Sequence, residues 1–199
     1  MTTTVATPTH EVVLGHLGVF VFDEVLPDPA AYTAVVRALP FRTVHVGGGA
    51  FHGIAASPDR RLERWMVATF PQATPTLGMC RRSPLGQGEP NYIHTDTDMG
   101  DWTAILYLTE TPPPEDGTIF WRDRLTGVLA STAITEAEYA AWRQPDRWEE
   151  WARVQAQPNR VVVFRAPLYH SRAILENYGE GSTARLIQVL FGIGSLTRS

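Results

Sequence analysis

Short segments of apolar or alternating apolar and polar residues dominate the chain after residue 75, a pattern that is typical of β-strands. Turn-forming stretches such as TPPPEDG separate these segments. The pattern predicts strands at TLGMCRRS, NYIHTD, WTAILYLT, GTIFWRD, NRVVVFRA and ARLIQVLFGI.

The first third of the chain combines strand patterns with helical ones. Residues 12–26 read as a strand, and a helix follows from Asp28, a suitable N-cap, to about Leu39. A second helix is predicted over 58–70, with Ser57 as its cap. Two early helices followed mainly by strands favour an antiparallel barrel or sandwich supported by helices over a parallel β/α sheet.

A further segment, 133–156, is helical by composition, and its three tryptophans are expected to anchor it to the core. These anchors are Trp142, Trp148 and Trp151. The predicted organisation is one domain over 1–199, with an N-terminal buttress of helices and strands at 1–75 and a strand-rich core at 76–193 that carries the insert.

Composition limits the classes of function. The chain has 199 residues, of which 44% are hydrophobic, enough for one buried core. A formal net charge of −4 without a basic cluster argues against a nucleic-acid partner. No apolar stretch has the length of a membrane span, and the N-terminus has no secretory signal pattern. Cys80 is the single cysteine, which fits a reducing cytoplasm, the expected location.

The strongest chemical signal is an HxD triplet, His94 to Asp96, together with the downstream His170. Residues i and i+2 of a strand point to the same side, so His94 and Asp96 can share a metal ion with a histidine from a neighbouring strand. Two histidines and one carboxylate on one face leave the opposite face of a ferrous ion open. Asp98 is the second-choice carboxylate, and the competing interpretation is a hydrogen-bonded surface turn.

A cation for a cosubstrate is also present. An oxygenase with three protein ligands needs two electrons to activate dioxygen, and a 2-oxo acid supplies them by decarboxylation. Its far carboxylate then requires a buried cation, and Arg185, at the start of the last strand, can bind it with two parallel hydrogen bonds. Arg172 and Arg165 compete for this role, and a surface salt bridge is the alternative for Arg185.

Over about residues 76–193 the sequence resembles the Fe(II)/2-oxoglutarate-dependent dioxygenases, in particular their prolyl-hydroxylase-like branch and its small bacterial members. The resemblance rests on HTDTD before WTAILYLT, on PEDGTIFWRD, and on the last two strand segments, NRVVVFRAPLYHS and STARLIQVLFG. It implies a mainly β fold with flanking helices, built on a double-stranded β-helix, the jelly-roll core of cupin-like proteins.

The resemblance also implies roles for individual residues. It makes His94, Asp96 and His170 the iron ligands, makes Arg185 the anchor of 2-oxoglutarate, and gives Tyr107 as a second donor to the same carboxylate. Thr103 and Ile105 share the face of Tyr107 and would line that pocket. The implied cofactors are Fe(II), 2-oxoglutarate as cosubstrate and O2, with ascorbate as reductant in vitro. The sequence departs from the family in keeping only Gly117 of a glycine pair, in a longer gap between His170 and Arg185, and in Gln188.

The reaction implied is hydroxylation of an unactivated C–H bond, with release of succinate and CO2. Asp96 occupies the position that a chloride would need, which argues against halogenation. Desaturation, cyclisation and epimerisation use the same ligands and stay open. The alternatives are a non-oxidative metal enzyme on the same barrel, an isomerase or lyase, and a catalytically silent binding barrel.

The substrate is less defined. A chain of this length leaves little room for a peptide-binding domain, so a small molecule such as an amino acid or a natural-product intermediate is favoured over a protein side chain. Residues 46–54, which include three glycines, are interpreted as a mobile lid over the entrance. Candidate substrate contacts are Tyr92, Asp98, Trp102, Trp121, Arg122, Phe51 and His52.

Overall fold

Two antiparallel sheets make up most of the protein. A computed structural model describes residues 18–46, 49–87, 93–132, 135–174 and 176–197. The strands are β1 (Val19–Phe22), β2 (Arg42–Val46), β3 (Gly49–Ala56), β4 (Ala73–Ser83), β5 (Trp102–Tyr107), β6 (Gly117–Asp123), β7 (Trp148–Gln155), β8 (Val161–Arg165), β9 (His170–Arg172) and β10 (Arg185–Gly194). The helices are α1 (Pro29–Arg37), α2 (Arg61–Thr69) and α3 (Glu136–Ala141), with short 3-10 turns at Pro145–Arg147 and Gly181–Thr183.

The strand order confirms the jelly-roll core that the sequence predicted. The large sheet has seven strands in the order β1-β8-β5-β10-β4-β3-β2, and the small sheet has three in the order β7-β6-β9. An isolated bridge between His94 and His170 adds a fourth position beside β9. From β4 onward the chain crosses repeatedly between the two sheets, with β4, β5, β8 and β10 in the large sheet and β6, β7 and β9 in the small one. This is the winding of a double-stranded β-helix.

The N-terminal segment both extends and covers the large sheet. β1 pairs with β8 at one edge, whereas the β2–β3 hairpin pairs with β4 at the other. Residues of α1 and α2 pack into one apolar cluster with the sheet residues of the same face, including Tyr32, Leu62 and Leu190. The buttress therefore contributes strands as well as helices.

The helix starts illustrate one correct and one wrong prediction. The side chain of Asp28 accepts a hydrogen bond from the amide of Ala31 at 3.0 Å, which confirms it as the cap of α1. Ser57 does not cap α2, which begins only at Arg61. The Ser57 hydroxyl instead accepts a hydrogen bond from Gln188 Nε2 at 3.1 Å, within the core behind the large sheet.

The prediction of a helical insert at 133–156 is wrong for the second half of that segment. Only Glu136–Ala141 is α-helical, and Trp148–Gln155 forms β7, which pairs with β6 along its whole length. The small sheet needs this strand to satisfy the free edge of β6. Trp142 and Trp148 are buried in one cluster, as anchors should be, but they pack on the outer side of the small sheet beside Tyr169.

The segment NYIHTD also differs from its prediction. Its described part, from Ile93 onward, makes a single bridge at His94 and no regular strand. Among the described residues, no helix has the length and apolar character needed to cross a bilayer.

Candidate metal centre

Three side chains converge between the two sheets. Ligand atoms of His94, Asp96 and His170 all lie within 4.8 Å of one another. His94 Nε2 is 3.6 Å from Asp96 Oδ1, and His170 Nε2 is 3.2 Å from Asp96 Oδ2. Two imidazole nitrogens and one carboxylate at such distances form a set that can bind a divalent transition metal.

Backbone hydrogen bonds bring the two histidines together. The amide of His94 donates to the carbonyl of His170 at 3.0 Å, and the amide of His170 donates to the carbonyl of His94 at 2.9 Å. The rings consequently lie 4.4 Å apart. This reciprocal pair replaces the regular strand predicted around His94 and still gives the two side chains a common direction.

A carbonyl group orients the ring of His170. Nδ1 of this buried side chain lies 2.9 Å from the carbonyl oxygen of Leu168, which can only accept a hydrogen bond. Nδ1 therefore carries a proton, and Nε2 faces Asp96 and the candidate metal position. The ring of Phe164 packs against it with a centroid distance of 4.6 Å.

Asp96 is fixed by its own backbone and by a threonine. Its amide donates to the carbonyl of Ala166 at 2.9 Å, and the hydroxyl of Thr103 donates to Oδ2 at 2.7 Å. Thr103 had been predicted to line the cosubstrate pocket; its contact in the structure is with the carboxylate ligand. This hydrogen bond leaves Oδ1 and the second lone pair of Oδ2 for a metal.

Asp96 and His170 shift each other's pKa, and the resulting carboxylate can bind a cation. Burial would raise the pKa of Asp96, but the neighbouring His170 and His94 and the Thr103 hydrogen bond lower it to about 2. Burial would lower the pKa of His170, yet the Asp96 carboxylate raises it above its usual value. A divalent cation bound to these atoms would take the place of the histidine proton. Asp98, the second-choice carboxylate, is exposed and does not belong to the cluster.

The register of the large sheet defines which residues face the triad. Thr103, whose side chain contacts Asp96, is opposite Phe191, and Tyr107 is opposite Ile187. Directly opposed residues of antiparallel strands point to the same side. Ile105, Tyr107 and Ile187 accordingly share an apolar cluster between the sheets. This surface is called the inner face below.

Arg185 lies on the inner face, and a carboxylate missed by the sequence analysis holds it there. Arg185 Nε is 3.0 and 3.1 Å from the two oxygens of Asp116, and both residues are buried. Asp116 also accepts hydrogen bonds from the Tyr178 hydroxyl and the Gly117 amide, each at 2.7 Å. Burial would lower the pKa of Arg185, but Asp116 raises it above its usual value, so the guanidinium stays charged.

Tyr107 approaches the same group without a direct hydrogen bond to it. Its hydroxyl lies 2.7 Å from the hydroxyl of Thr118, and the charge of Arg185 acts on it. Burial raises the pKa of Tyr107, so the phenol is neutral. Tyr107 thus lies near the cation with Thr118 as its hydrogen-bond partner, and its contact with a cosubstrate carboxylate stays a prediction.

The competing arginines occupy different places. Arg172 is opposite Thr118, the hydrogen-bond partner of Tyr107, and donates to Asn177 Oδ1 at 2.6 Å. Arg165 is exposed and is opposite Trp102, on the side of the sheet away from the triad. The register also places Arg81 opposite Ile187, on the inner face. The alternation of Leu77, Met79 and Arg81 along β4 is the signal that could have found it.

Several predicted substrate contacts lie elsewhere. Trp102 is wrong, because it is fully buried in the cluster behind the large sheet, where its indole N–H donates to the carbonyl of Ile193 at 3.1 Å. Trp121 is wrong as well, since it packs on the outer side of the small sheet and donates to the Ser171 hydroxyl at 3.0 Å. Arg122 forms an ion pair with Glu149 on the surface.

The β2–β3 hairpin carries the remaining candidates. Phe51 is opposite Val44 and is 38% exposed, whereas His52 bonds to the Thr43 hydroxyl at 3.0 Å through Nδ1. Tyr92 lies outside the described residues, as do two of the three glycines at 47–49. The lid predicted over 46–54 therefore coincides with the end of a hairpin, and its mobility stays a prediction.

No protein-family model matches the chain, and no curated protein does. Solved structures do match it. The epimerase SnoN in complex with Fe3+, α-ketoglutarate and nogalamycin RO aligns over 91% of this chain and 80% of its own, with a TM-score of 0.61 and 14% identity. The non-haem α-ketoglutarate-dependent carbocyclase SnoK, from nogalamycin biosynthesis, aligns over 90% and 81%, with a TM-score of 0.55 and 14% identity.

A third match is HygX from Streptomyces hygroscopicus with nickel and 2-oxoglutarate bound, over 89% of this chain and 83% of that one, with a TM-score of 0.50 and 18% identity. At these identities the likeness concerns the path of the backbone. It agrees with the resemblance predicted from the HxD and strand motifs. The chain therefore has the jelly-roll fold of the non-haem α-ketoglutarate-dependent enzymes.

Proposed function

We propose that the protein is an Fe(II)- and 2-oxoglutarate-dependent oxygenase acting on a small molecule. The observation that carries this proposal is the cluster of His94, Asp96 and His170 between the sheets, with ligand atoms within 4.8 Å of one another. A ferrous ion held there would supply the site for activating dioxygen. The solved structures of this fold with iron or nickel and 2-oxoglutarate support the choice of metal and cosubstrate.

The inner face supports 2-oxoglutarate as the electron donor. Arginine has five N–H donors, and the contact with Asp116 uses the one on Nε. The donors on the two Nη atoms are those proposed to bind the distal carboxylate, with the neutral hydroxyl of Tyr107 nearby. Asp116 fixes the guanidinium plane, so little side-chain freedom is lost when the carboxylate binds.

The proposed outcome is hydroxylation of an unactivated C–H bond, with succinate and CO2 as products and ascorbate as reductant in vitro. Asp96 occupies the carboxylate position, which disfavours halogenation. The epimerase SnoN and the carbocyclase SnoK share the fold, and they support epimerisation or ring closure as a second outcome of the same oxidative chemistry. A non-oxidative isomerase or lyase would keep the triad but would not need Arg185.

The triad is tested by metal binding and cosubstrate turnover. We expect wild-type protein with Fe(II) and ascorbate to convert 2-oxoglutarate to succinate. His170→Ala should abolish both Fe(II) binding and turnover while the circular dichroism spectrum is unchanged. His45→Ala, which removes an exposed histidine of β2, is the matched control and should bind iron like the wild type. Full metal binding by His170→Ala would refute the site.

The cosubstrate anchor is tested separately. Arg185→Lys should weaken 2-oxoglutarate binding by about 1.5–3 kcal/mol, because an ammonium cannot reproduce two parallel hydrogen bonds. The measurement is a cosubstrate titration of the metal-loaded protein without oxygen. A larger effect of Arg172→Ala than of Arg185→Ala would show that the wrong arginine has been chosen.

A further inference from the structure

Within the part of the chain that the structure describes, the small sheet is narrower than the large one, so part of the inner face has no opposing strand. The small sheet has three strands and the large one seven, and β3 and β2 lie beyond β4 at the edge. Leu77 on β4 is 47% exposed and Phe51 on β3 is 38% exposed. Single exposed apolar side chains are common on protein surfaces, but a continuous set of them on the face of a candidate active site is typical of a ligand-binding surface.

Register places these side chains on the same side as the triad. Leu77 is opposite Phe191, which in turn is opposite Thr103, the partner of Asp96. Neighbouring strands are 4.7–4.9 Å apart, so the backbone of Leu77 is about 10 Å from that of Thr103. Met79 is opposite Val189 on the next step of the same strand. An apolar track therefore leads outward from the candidate metal position.

The track continues onto the hairpin. Ile54 is opposite Arg81 of β4 on one side and Arg42 of β2 on the other. Phe51 and Val44 form the next opposed pair. Leu77 and the half-buried Met79 follow one another along the inner face of β4, and the half-buried Ile54 is diagonal to Met79. The more exposed Phe51 lies further along β3, at the end away from Leu77. We define the wall as Val44, Phe51, Ile54, Leu77 and Met79.

The three strands that carry the wall have charged residues of one sign only. None of the three strands β2, β3 and β4 contains Asp or Glu, whereas Arg42 and Arg81 border Ile54 on the inner face. A polycationic substrate would meet repulsion here and no counter-charge from these strands. An acidic group on an apolar molecule would meet the exposed guanidinium of Arg42, and guanidinium groups bind carboxylates, sulfates and phosphates well.

We propose that the wall binds the body of the primary substrate, and that this substrate is a largely apolar small molecule that carries an acidic group. The inference rests on the proposed oxygenase function and deepens it, because it names the chemistry of the molecule that is oxidised. The apolar body covers Leu77 and Met79, and the acidic group lies toward Arg42. The reacting carbon is then at the end of the track beside the triad.

Two fluorescent probes that differ in one group test both parts of the proposal. Anilinonaphthalene sulfonate is apolar and acidic, and N-phenylnaphthylamine is its uncharged counterpart. Each is titrated into zinc-loaded protein with 2-oxoglutarate. Leu77→Asp should weaken both probes about tenfold, the equivalent of about 1.4 kcal/mol, which is close to the value of burying a leucine side chain. Leu77→Thr, which keeps the preference for β structure, guards against misfolding and should weaken both in the same direction.

Matched controls separate the wall from the rest of the surface. Leu125 is 79% exposed in the turn after β6, and Leu125→Asp should leave both affinities within twofold of the wild type. Arg42→Gln should weaken the sulfonate about tenfold and leave the uncharged probe within twofold, because it removes the cation and keeps a polar side chain. Equal effects of Leu77→Asp and Leu125→Asp on probe affinity would refute the proposal that the wall binds the substrate. An unchanged sulfonate affinity in Arg42→Gln would refute the proposal that the substrate carries an acidic group bound near Arg42.

The failure of this inference is distinguishable from that of the oxygenase proposal. Two results together would refute the oxygenase and keep an apolar ligand site. The wild-type protein would not bind 2-oxoglutarate, and Leu77→Asp would lose probe binding. Metal-dependent binding of 2-oxoglutarate, with probe affinities insensitive to Leu77, would keep the oxygenase and refute the wall.

Discussion

The hydrogen bond from Thr103 to Asp96 should determine how well the triad binds its metal. Thr103→Val removes the hydroxyl and preserves the shape of the side chain, which is 1% exposed. The lost contact is 2.7 Å long and ends on a carboxylate that is 8% exposed. A hydrogen bond to a charged group contributes about 1.5–3 kcal/mol, and loss of such a partner of a metal ligand typically costs about 10- to 100-fold in metal affinity.

The affinity is measured without oxygen, by competition between the protein and a chelator for Fe(II) or Co(II). The Co(II) absorption spectrum gives a second readout, because it reports ligand geometry independently of turnover. Thr103→Val should weaken binding about 10- to 100-fold and alter the Co(II) spectrum, and Thr103→Ser should restore most of both.

Thr118→Val is the matched control. Thr118 is equally buried at 2% exposure, and its hydroxyl also makes a 2.7 Å hydrogen bond, but to Tyr107 and not to a triad residue. It should bind metal like the wild type. Wild-type affinity in Thr103→Val would refute the proposed support of Asp96. Weaker 2-oxoglutarate binding with unchanged metal affinity would instead favour the role in the cosubstrate pocket that the sequence suggested.

Three further predictions concern buried groups outside the triad. Asp116→Asn removes the counter-charge of buried Arg185 and should lower the free energy of unfolding by about 3–5 kcal/mol in a denaturant titration. Saturating 2-oxoglutarate should recover part of this loss. No recovery would argue against carboxylate binding at Arg185. Burial would raise the pKa of Asp123, but hydrogen bonds from Arg147 at 2.9 and 2.5 Å lower it. Asp123→Asn should therefore lower the free energy of unfolding by about 1–3 kcal/mol at neutral pH. The loss should shrink as the pH falls below 3.8, the ordinary pKa of the carboxyl group. A difference in unfolding free energy that stays constant from pH 7 to pH 2 would contradict that ion pair. Gly117→Ala would place a Cβ 2.1 Å from a carbonyl oxygen of β7, so its melting temperature should fall, and an unchanged value would mean that β7 can shift.

Local patterns in the sequence were sufficient for most strands of the large sheet and for grouping the three residues of the triad. The alternation in WTAILYLT and ARLIQVLFGI marks β5 and β10 because a sheet buried on both sides requires apolar residues at nearly every position. His94, Asp96 and His170 could be grouped because the HxD spacing and the resemblance to a known fold both point to them. Asp28 as a cap also follows from a local hydrogen bond.

The same local patterns failed where a residue's environment comes from distant parts of the chain. Residues 148–155 look helical by composition, but they form a strand because β6 offers them a free edge. Trp102 seems close to the triad in sequence, yet the alternation of β5 turns it to the opposite side of the sheet from Thr103. Only pairing decides which side of a strand becomes the inner one.

Sequence by itself determined the candidate chemistry of this chain: three side chains that can bind a metal, a buried cation, and a strand-rich fold to carry them. Tertiary structure alone decided the partners of those groups. Asp116 meets Arg185 across 69 residues, and the wall exists only because seven strands face three. These features depend on which backbone edges pair, and the free energy of that pairing is shared among residues far apart in the chain.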